Sequence, residues 1–200
     1  MKYLKEQLKY IQHAKGFSLV ETLVAITVLL IAFVGPMTIV AKGVFYSNYA
    51  KDQVAAYYLA QEAIEYIRLK RDNITVGEGD IGENSWAVFK AYDQLSVPDG
   101  IRDCLIDGQG NENGCTIDAV NSQIAACGTT CPALRRRSAD GLFVQGGTGS
   151  VTPYTRTVKI YNEPITDPLS NELFIDVQIR WQNGTLTKTF NLRENILNWQ

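Results

Sequence analysis

Two hundred residues, 46% hydrophobic and 20% charged, are enough for one folded domain and an anchor, and the formal charge of −2 conceals an asymmetry. The first sixteen residues hold four of the nineteen basic residues and one of the twenty-one acidic ones, so the remainder carries fifteen against twenty, a net −5. So mildly acidic a body gives no general reason to expect polyanion binding, and the only histidine, His13, lies in the leader, so the rest of the chain holds no Ser-His-Asp or Cys-His catalyst and no histidine metal ligand.

Residues 1–15 are basic, with Lys2, Lys5, Lys9 and Lys15 against Glu6. Residues 22–41 contain no ionisable side chain, and as a helix they rise about 30 Å, one hydrocarbon thickness. Lysines beside such a span predict an N-terminus inside and the remainder outside. A cleaved secretory signal ends in small residues of A-x-A type, which Ile39-Val40-Ala41-Lys42 fits poorly. A plain uncleaved signal anchor explains the span but not Glu21, because a carboxylate in a spanning helix costs about 2.5 kcal/mol or more at the bilayer centre, less near the interface, and such groups usually have a partner.

The junction Gly16-Phe17-Ser18-Leu19-Val20-Glu21, followed by a long apolar helix, resembles the processing motif of type IV pilins and pseudopilins. That resemblance implies a membrane peptidase that cuts after Gly16, a methylated new terminus at Phe17, and an apolar helix that stays with the mature subunit. Cutting there creates a cationic amine on Phe17, and a neighbouring subunit's Glu21 can pair with it where unpaired charges are expensive, which fixes the axial step between subunits. Glu21 is therefore expected to act in filament assembly rather than in catalysis. The partners implied by the resemblance are a prepilin peptidase, a platform membrane protein, a cytoplasmic assembly ATPase and other pilin subunits, with the precursor in the inner membrane and the assembled form in a surface pilus or periplasmic pseudopilus.

The helix is expected to continue beyond the membrane. Residues 45–72 lack Gly and Pro, and Tyr46, Ala50, Val54, Tyr57, Ala60, Ile64 and Ile67 recur at helical spacing as a stripe for a core. Glu62, Glu65, Arg68 and Arg71 read as its polar face, with Glu65 and Arg68 paired, and Arg68, Lys70 and Arg71 complement the dipole at its end. Gly35 and Pro36 interrupt this spine. The proline removes the N–H that bonds the Ala32 carbonyl, so a kink is expected, either a tolerated membrane-helix proline or, by resemblance, a breaker that lets the spine pack in a filament.

Residues 73–150 read as loop-rich, with one short element around 86–95. All four cysteines, Cys104, Cys115, Cys127 and Cys131, fall here, without C-x2-C spacing and on the predicted outer side, where disulfides persist. Three connectivities are possible; Cys104–Cys115 and Cys127–Cys131 are favoured because each closes a short loop in a polar region, although many major pilins staple the C-terminal region instead. Asp107, Gln109, Asn111, Asn113 and Asp118 stand at the ligand positions of a calcium loop, but Glu112 replaces the turn glycine and Asp118 the bidentate Glu, so a Gly/Asn turn cluster is the stronger reading. Arg135-Arg136-Arg137 lacks interleaved aromatics and reads as a solvated strip rather than a DNA site, and Gly146-Gly147-Thr148-Gly149-Ser150 reads as a linker.

Residues 176–192 carry a hairpin signal around Asn183-Gly184. Pairing Gln182 with Thr185 sets Trp181 opposite Leu186, Ile179 opposite Lys188, Val177 opposite Phe190 and Ile175 opposite Leu192, giving one apolar face. Residues 154–161 alternate as a third strand. The expected fold class is α+β: a long N-terminal helix, spanning first and amphipathic second, packed on a C-terminal antiparallel β-sheet of three or four strands. The expected organisation is a removed leader 1–16, a membrane and filament-core helix 17–44, an amphipathic helix 45–72, a disulfide region 73–150 and a sheet 151–200. The function implied is a non-enzymatic pilin-like subunit without a resident cofactor, built into a type IV pilus or a related filament such as a type II secretion pseudopilus. The competing reading is a monomeric membrane-anchored binding protein with an uncleaved signal anchor and a calcium or ligand module; an exported enzyme is a distant third, since no nucleophile-base or convergent acid pair can be read from the spacing.

Overall fold

The computed structural model describes residues 16–77, 85–91, 101–106, 112–162 and 170–198. The chain divides between Asn48 and Tyr49 into two compact units. Helix α1, Leu19–Gly77, supplies all the regular structure described in the first unit. Among the described residues the second unit holds the rest of α1, a short helix α2 (Ser85–Ala91), a 3-10 turn at Arg102–Cys104, and seven strands.

The strands are β1 (Cys115–Asp118), β2 (Gln123–Ala126), β3 (Ala133–Arg136), β4 (Phe143–Val144), β5 (Ser150–Asn162), β6 (Glu172–Asn183) and β7 (Leu186–Leu197). Every pairing between them is antiparallel. β5 is the hub: β6 and then β7 lie on one side, while β3 and β1 share its other edge, each extended by its own hairpin partner. Seven strands replace the three or four expected, because the region read as loop-rich contributes β1 to β4. Those strands have four residues or fewer, too short for an alternating pattern to stand out.

The inner faces of β5 and β6 bury Tyr154, Arg156, Val158, Ile160, Leu173, Ile175, Val177, Ile179 and Trp181. Against them α1 lays Ala56, Leu59, Ala60, Ala63, Ile64 and Ile67. The small alanines bring helix and sheet close, and the branched side chains fill the space between. The expected stripe is thus corrected: Ala60, Ile64 and Ile67 are buried, but Tyr46, Val54 and Tyr57 are exposed and the face turns toward Ala56, Leu59 and Ala63. The helix also runs past the expected end at residue 72, since Ile74 packs one turn further against the core; its basic residues therefore precede the last turn.

The hairpin register differs from the expected one by two residues. Trp181 faces Lys188, Ile179 faces Phe190, Val177 faces Leu192, and Gly184-Thr185 form the loop. Gly184 alone takes positive φ, +62°, which fits a loop with glycine at its first central position rather than one needing positive φ at both. Because the side-chain period is two, the shift leaves each residue on its expected face. Lys188 and Glu194 thus stay on the inner face of the edge strand β7, where Lys188 lies over the Tyr49 ring at 5.6 Å and Glu194 meets Arg68. Inward charges on an edge strand disfavour pairing with another chain.

Two disulfides organise the segment before β5. Cys104 is joined to Cys115 and Cys127 to Cys131, tying the 3-10 turn to β1 and the end of β2 to the start of β3. The Gly-rich segment is not a linker but a tight connection between β4 and β5. A Cβ on Gly149 would lie 2.6 Å from the Arg136 carbonyl oxygen, so only glycine fits there. Nor is the arginine strip simply solvated: Arg135 donates to the Gly149 carbonyl at 3.1 Å, Arg136 to that of Gly141 at 3.4 Å, and Arg137 pairs with Asp140. α2 is pinned by Trp86 and Lys90, which donate to the Ser170 carbonyl at 2.9 and 2.8 Å.

Candidate functional site

The chain at residues 16–18 is not helical, and α1 begins at Leu19. Ser18 is the N-cap: its carbonyl accepts the first helical bond from the Thr22 N–H at 3.1 Å, and its Oγ accepts the Glu21 N–H at 3.2 Å. Glu21 sits in the first turn, where a carboxylate complements the positive end of the helix dipole. Phe17 is 78% exposed, and Gly16 is exposed, with open space where a Cβ would stand.

From Leu19 to Val44 the large apolar side chains face outward, and this is a helix long and apolar enough to cross a membrane. Its hydroxyls are satisfied internally, as a lipid environment requires: Thr22, Thr27 and Thr38 donate to the carbonyls of Leu19, Val24 and Gly35 at 2.9, 2.8 and 2.7 Å. The helix is continuous through Gly35 and Pro36.

Sequence reasoning treated Ser18 only as part of a motif; the signal for its capping role is the S-x-x-E spacing with Glu21. It also missed Arg156, whose side chain is fully buried among α1, β1 and β5. Arg156 donates to Glu62 at 2.6 Å, to the Leu59 carbonyl at 2.8 Å and to the Ile117 carbonyl. Glu62 therefore belongs to the sheet-facing side of the helix rather than to a free polar face, and Arg68 bonds both Glu65, at 2.7 Å, and Glu194. Alternation put Arg156 on the same face as Val158 and Ile160, which is the clue that it would be buried.

Of the calcium-loop residues, Asp107, Gln109 and Asn111 lie outside the described residues, and Asn113 is exposed. Asp118 is buried at the end of β1 and already engaged: its two oxygens accept the Asn121 N–H at 3.0 Å, the Asn121 amide at 2.9 Å and the Gln145 N–H at 2.8 Å. It thus clasps the β1–β2 turn to the Gly-rich connection. Among the described residues no group of three or more His, Cys, Asp or Glu side chains is arranged to hold a metal ion. His13 lies outside the described residues.

Burial pushes the Asp118 carboxyl up, but the hydrogen bonds from Asn121, Gln145 and Gly146 outweigh it and hold the group below its ordinary value of 3.8. A lowered folded pKa contributes stability that is present above that value and lost as pH falls through the folded one. Asp118→Asn should cost about 1–3 kcal/mol at neutral pH and flatten the acid limb of the stability curve below pH ~4, measured by denaturant unfolding at stepped pH. An equally steep limb in the variant would assign the acid sensitivity elsewhere. The Tyr154 hydroxyl, pushed up to about 12 by burial and by Asp52, stays protonated and donates to that carboxylate at 2.9 Å.

The junction and the first part of α1 coincide with a known sequence signature. Residues 11–35 match the family model described as the prokaryotic N-terminal methylation motif, the signature of type IV pilins and pseudopilins. The chain matches no curated protein and no solved structure. The motif supports a type IV pilin-like precursor, suggests a structural subunit rather than an enzyme, and implies processing by a prepilin peptidase. With the long apolar helix it fits a membrane-anchored precursor.

Proposed function

We propose that the chain is inserted as a single-pass membrane precursor with its N-terminus inside, is cut after Gly16 and methylated on Phe17, and then works by assembling into a type IV pilus or related filament. The observation that carries this reading is the methylation motif matched at residues 11–35, which runs into an apolar helix from Leu19 whose large side chains are exposed and whose first turn holds Glu21. Cleavage exposes an amine two residues before the start of the helix, and an adjacent subunit's Glu21 offers the nearest compensation for it in a water-poor bundle. Gly35 and Pro36 supply the point at which the spine bends as subunits pack. The sheet unit, stapled by two disulfides, suits the oxidising side of the membrane.

The reading is tested by where the mature chain begins. A start at Phe17 in protein from sheared filaments is expected; a mature protein that begins at Met1 favours the anchored binding protein instead.

A further inference from the structure

We infer that Ser18 is a positioning residue for precursor processing: by capping α1 it holds the bond between Gly16 and Phe17 outside the helix, where a peptidase can reach it. This deepens the proposed function and rests on cleavage after Gly16. Two observations meet here. One is the cap geometry at Ser18, and the other, independent of it, is the motif match over residues 11–35, which implies a peptidase as the ligand of this junction.

An α-helix locks each carbonyl to the N–H four residues on. Were α1 to grow one turn toward its N-terminus, the Gly16 carbonyl would bond the Val20 N–H and the Phe17 carbonyl the Glu21 N–H. The bond to be cut would then have its carbonyl engaged and its neighbours wound into a cylinder. Instead the Glu21 N–H is occupied by the Ser18 hydroxyl oxygen at 3.2 Å, and the first helical bond is the one from Thr22 to the Ser18 carbonyl. Nothing downstream opposes such growth, because Leu19–Gly77 is already a continuous helix, so extension adds bonds to a formed nucleus, and unmade backbone bonds are costly in an apolar setting. Gly16 itself resists helix, but a single glycine is a modest obstacle. The cap is therefore what stops the helix two residues after the bond.

Hydrolysis of this bond adds one water: the Gly16 carbonyl carbon gains hydroxyl and leaves as a carboxylate, while the Phe17 nitrogen takes the proton and becomes the new amine. The attack needs the Gly16 carbonyl carbon accessible and its oxygen open to the peptidase's own donors rather than turned along a helix axis. Exposed non-helical segments are cut far more readily than ordered ones. Losing a serine cap typically moves a helix-boundary equilibrium about fivefold.

The test measures cleavage rates of the full-length chain in membrane vesicles containing a prepilin peptidase, for wild type, Ser18→Ala, Ser18→Asn and Ser18→Gly. Asparagine keeps the cap, and glycine lacks a hydroxyl yet is well tolerated at a helix N-cap, whereas alanine does neither. The expected result is about fivefold slower cutting of Ser18→Ala, with Ser18→Asn and Ser18→Gly within about twofold of wild type. Equal rates for Ser18→Ala and wild type would overturn the inference. So would Ser18→Gly being as slow as Ser18→Ala, since the peptidase would then be reading the hydroxyl itself. Failure of the underlying reading has a separate signature, wild type that is not cut after Gly16 under any condition, and it overturns this inference too.

Discussion

Glu21→Val is expected to leave the precursor cut after Gly16 but to lower its incorporation into filaments by roughly a hundredfold to a few thousandfold. The carboxylate stands in the first turn of α1, on a helix whose next twenty residues carry no charge. Removing one partner of a desolvated ion pair costs about 3–5 kcal/mol, mostly because the other charge is left uncompensated. In a filament that penalty falls on the Phe17 amine at every subunit contact. In the bilayer the same substitution is favourable, since it deletes an intramembrane carboxylate, so the precursor should accumulate normally. Comparing membrane and sheared-filament fractions separates the two effects. Filaments of Glu21→Val in wild-type amount would mean that charge pairing does not set subunit register here.

Glu62→Ala should destabilise the sheet unit by about 3–5 kcal/mol, more than Arg156→Met. The asymmetry follows from where each charge is left. Arg156 is fully buried, so without Glu62 its guanidinium keeps only the Leu59 and Ile117 carbonyls, and its Nε already has no partner among the described residues. Glu62 has a side chain 34% exposed, so without Arg156 it can turn to water, and Met fills the vacated volume. The double variant Glu62→Ala with Arg156→Met should recover part of the loss seen in Glu62→Ala alone, as expected for coupled neighbours. Denaturant unfolding of the full chain in detergent, followed by tryptophan fluorescence, to which the buried Trp86 and Trp181 contribute, reads these differences. A loss below about 1 kcal/mol for Glu62→Ala would show that the buried guanidinium is adequately served by carbonyls alone.

The helix and the C-terminal strands were legible because their patterns are long. Period-two alternation through β5, β6 and β7 names the faces, and even the hairpin, displaced by two residues, keeps them. Its register was misread because the Asn183-Gly184 pair suggested a loop centred on itself, whereas only Gly184 occupies positive φ. The apolar stripe of α1 was misjudged since tyrosine, valine and alanine occur on several faces; which alanines are buried depends on the sheet that meets them. β1 to β4 were hidden by brevity and by glycine. The Arg156 pair was hidden by distance, its partners lying 94 and 97 residues away in the chain. At the junction the reverse holds: Gly16, Phe17, Ser18 and Glu21 are contiguous, so the motif could be read whole, and only the hydroxyl bond that starts the helix required coordinates.

The mass of the mature N-terminal peptide tests the central claim most directly. A peptide that begins at Phe17 and is one methyl group heavier than its sequence is the expected result, with Met1 to Gly16 absent from the mature protein. Mature protein that retains residues 1–16, or begins at an unmodified residue elsewhere, would contradict a filament subunit made by cleavage at Gly16.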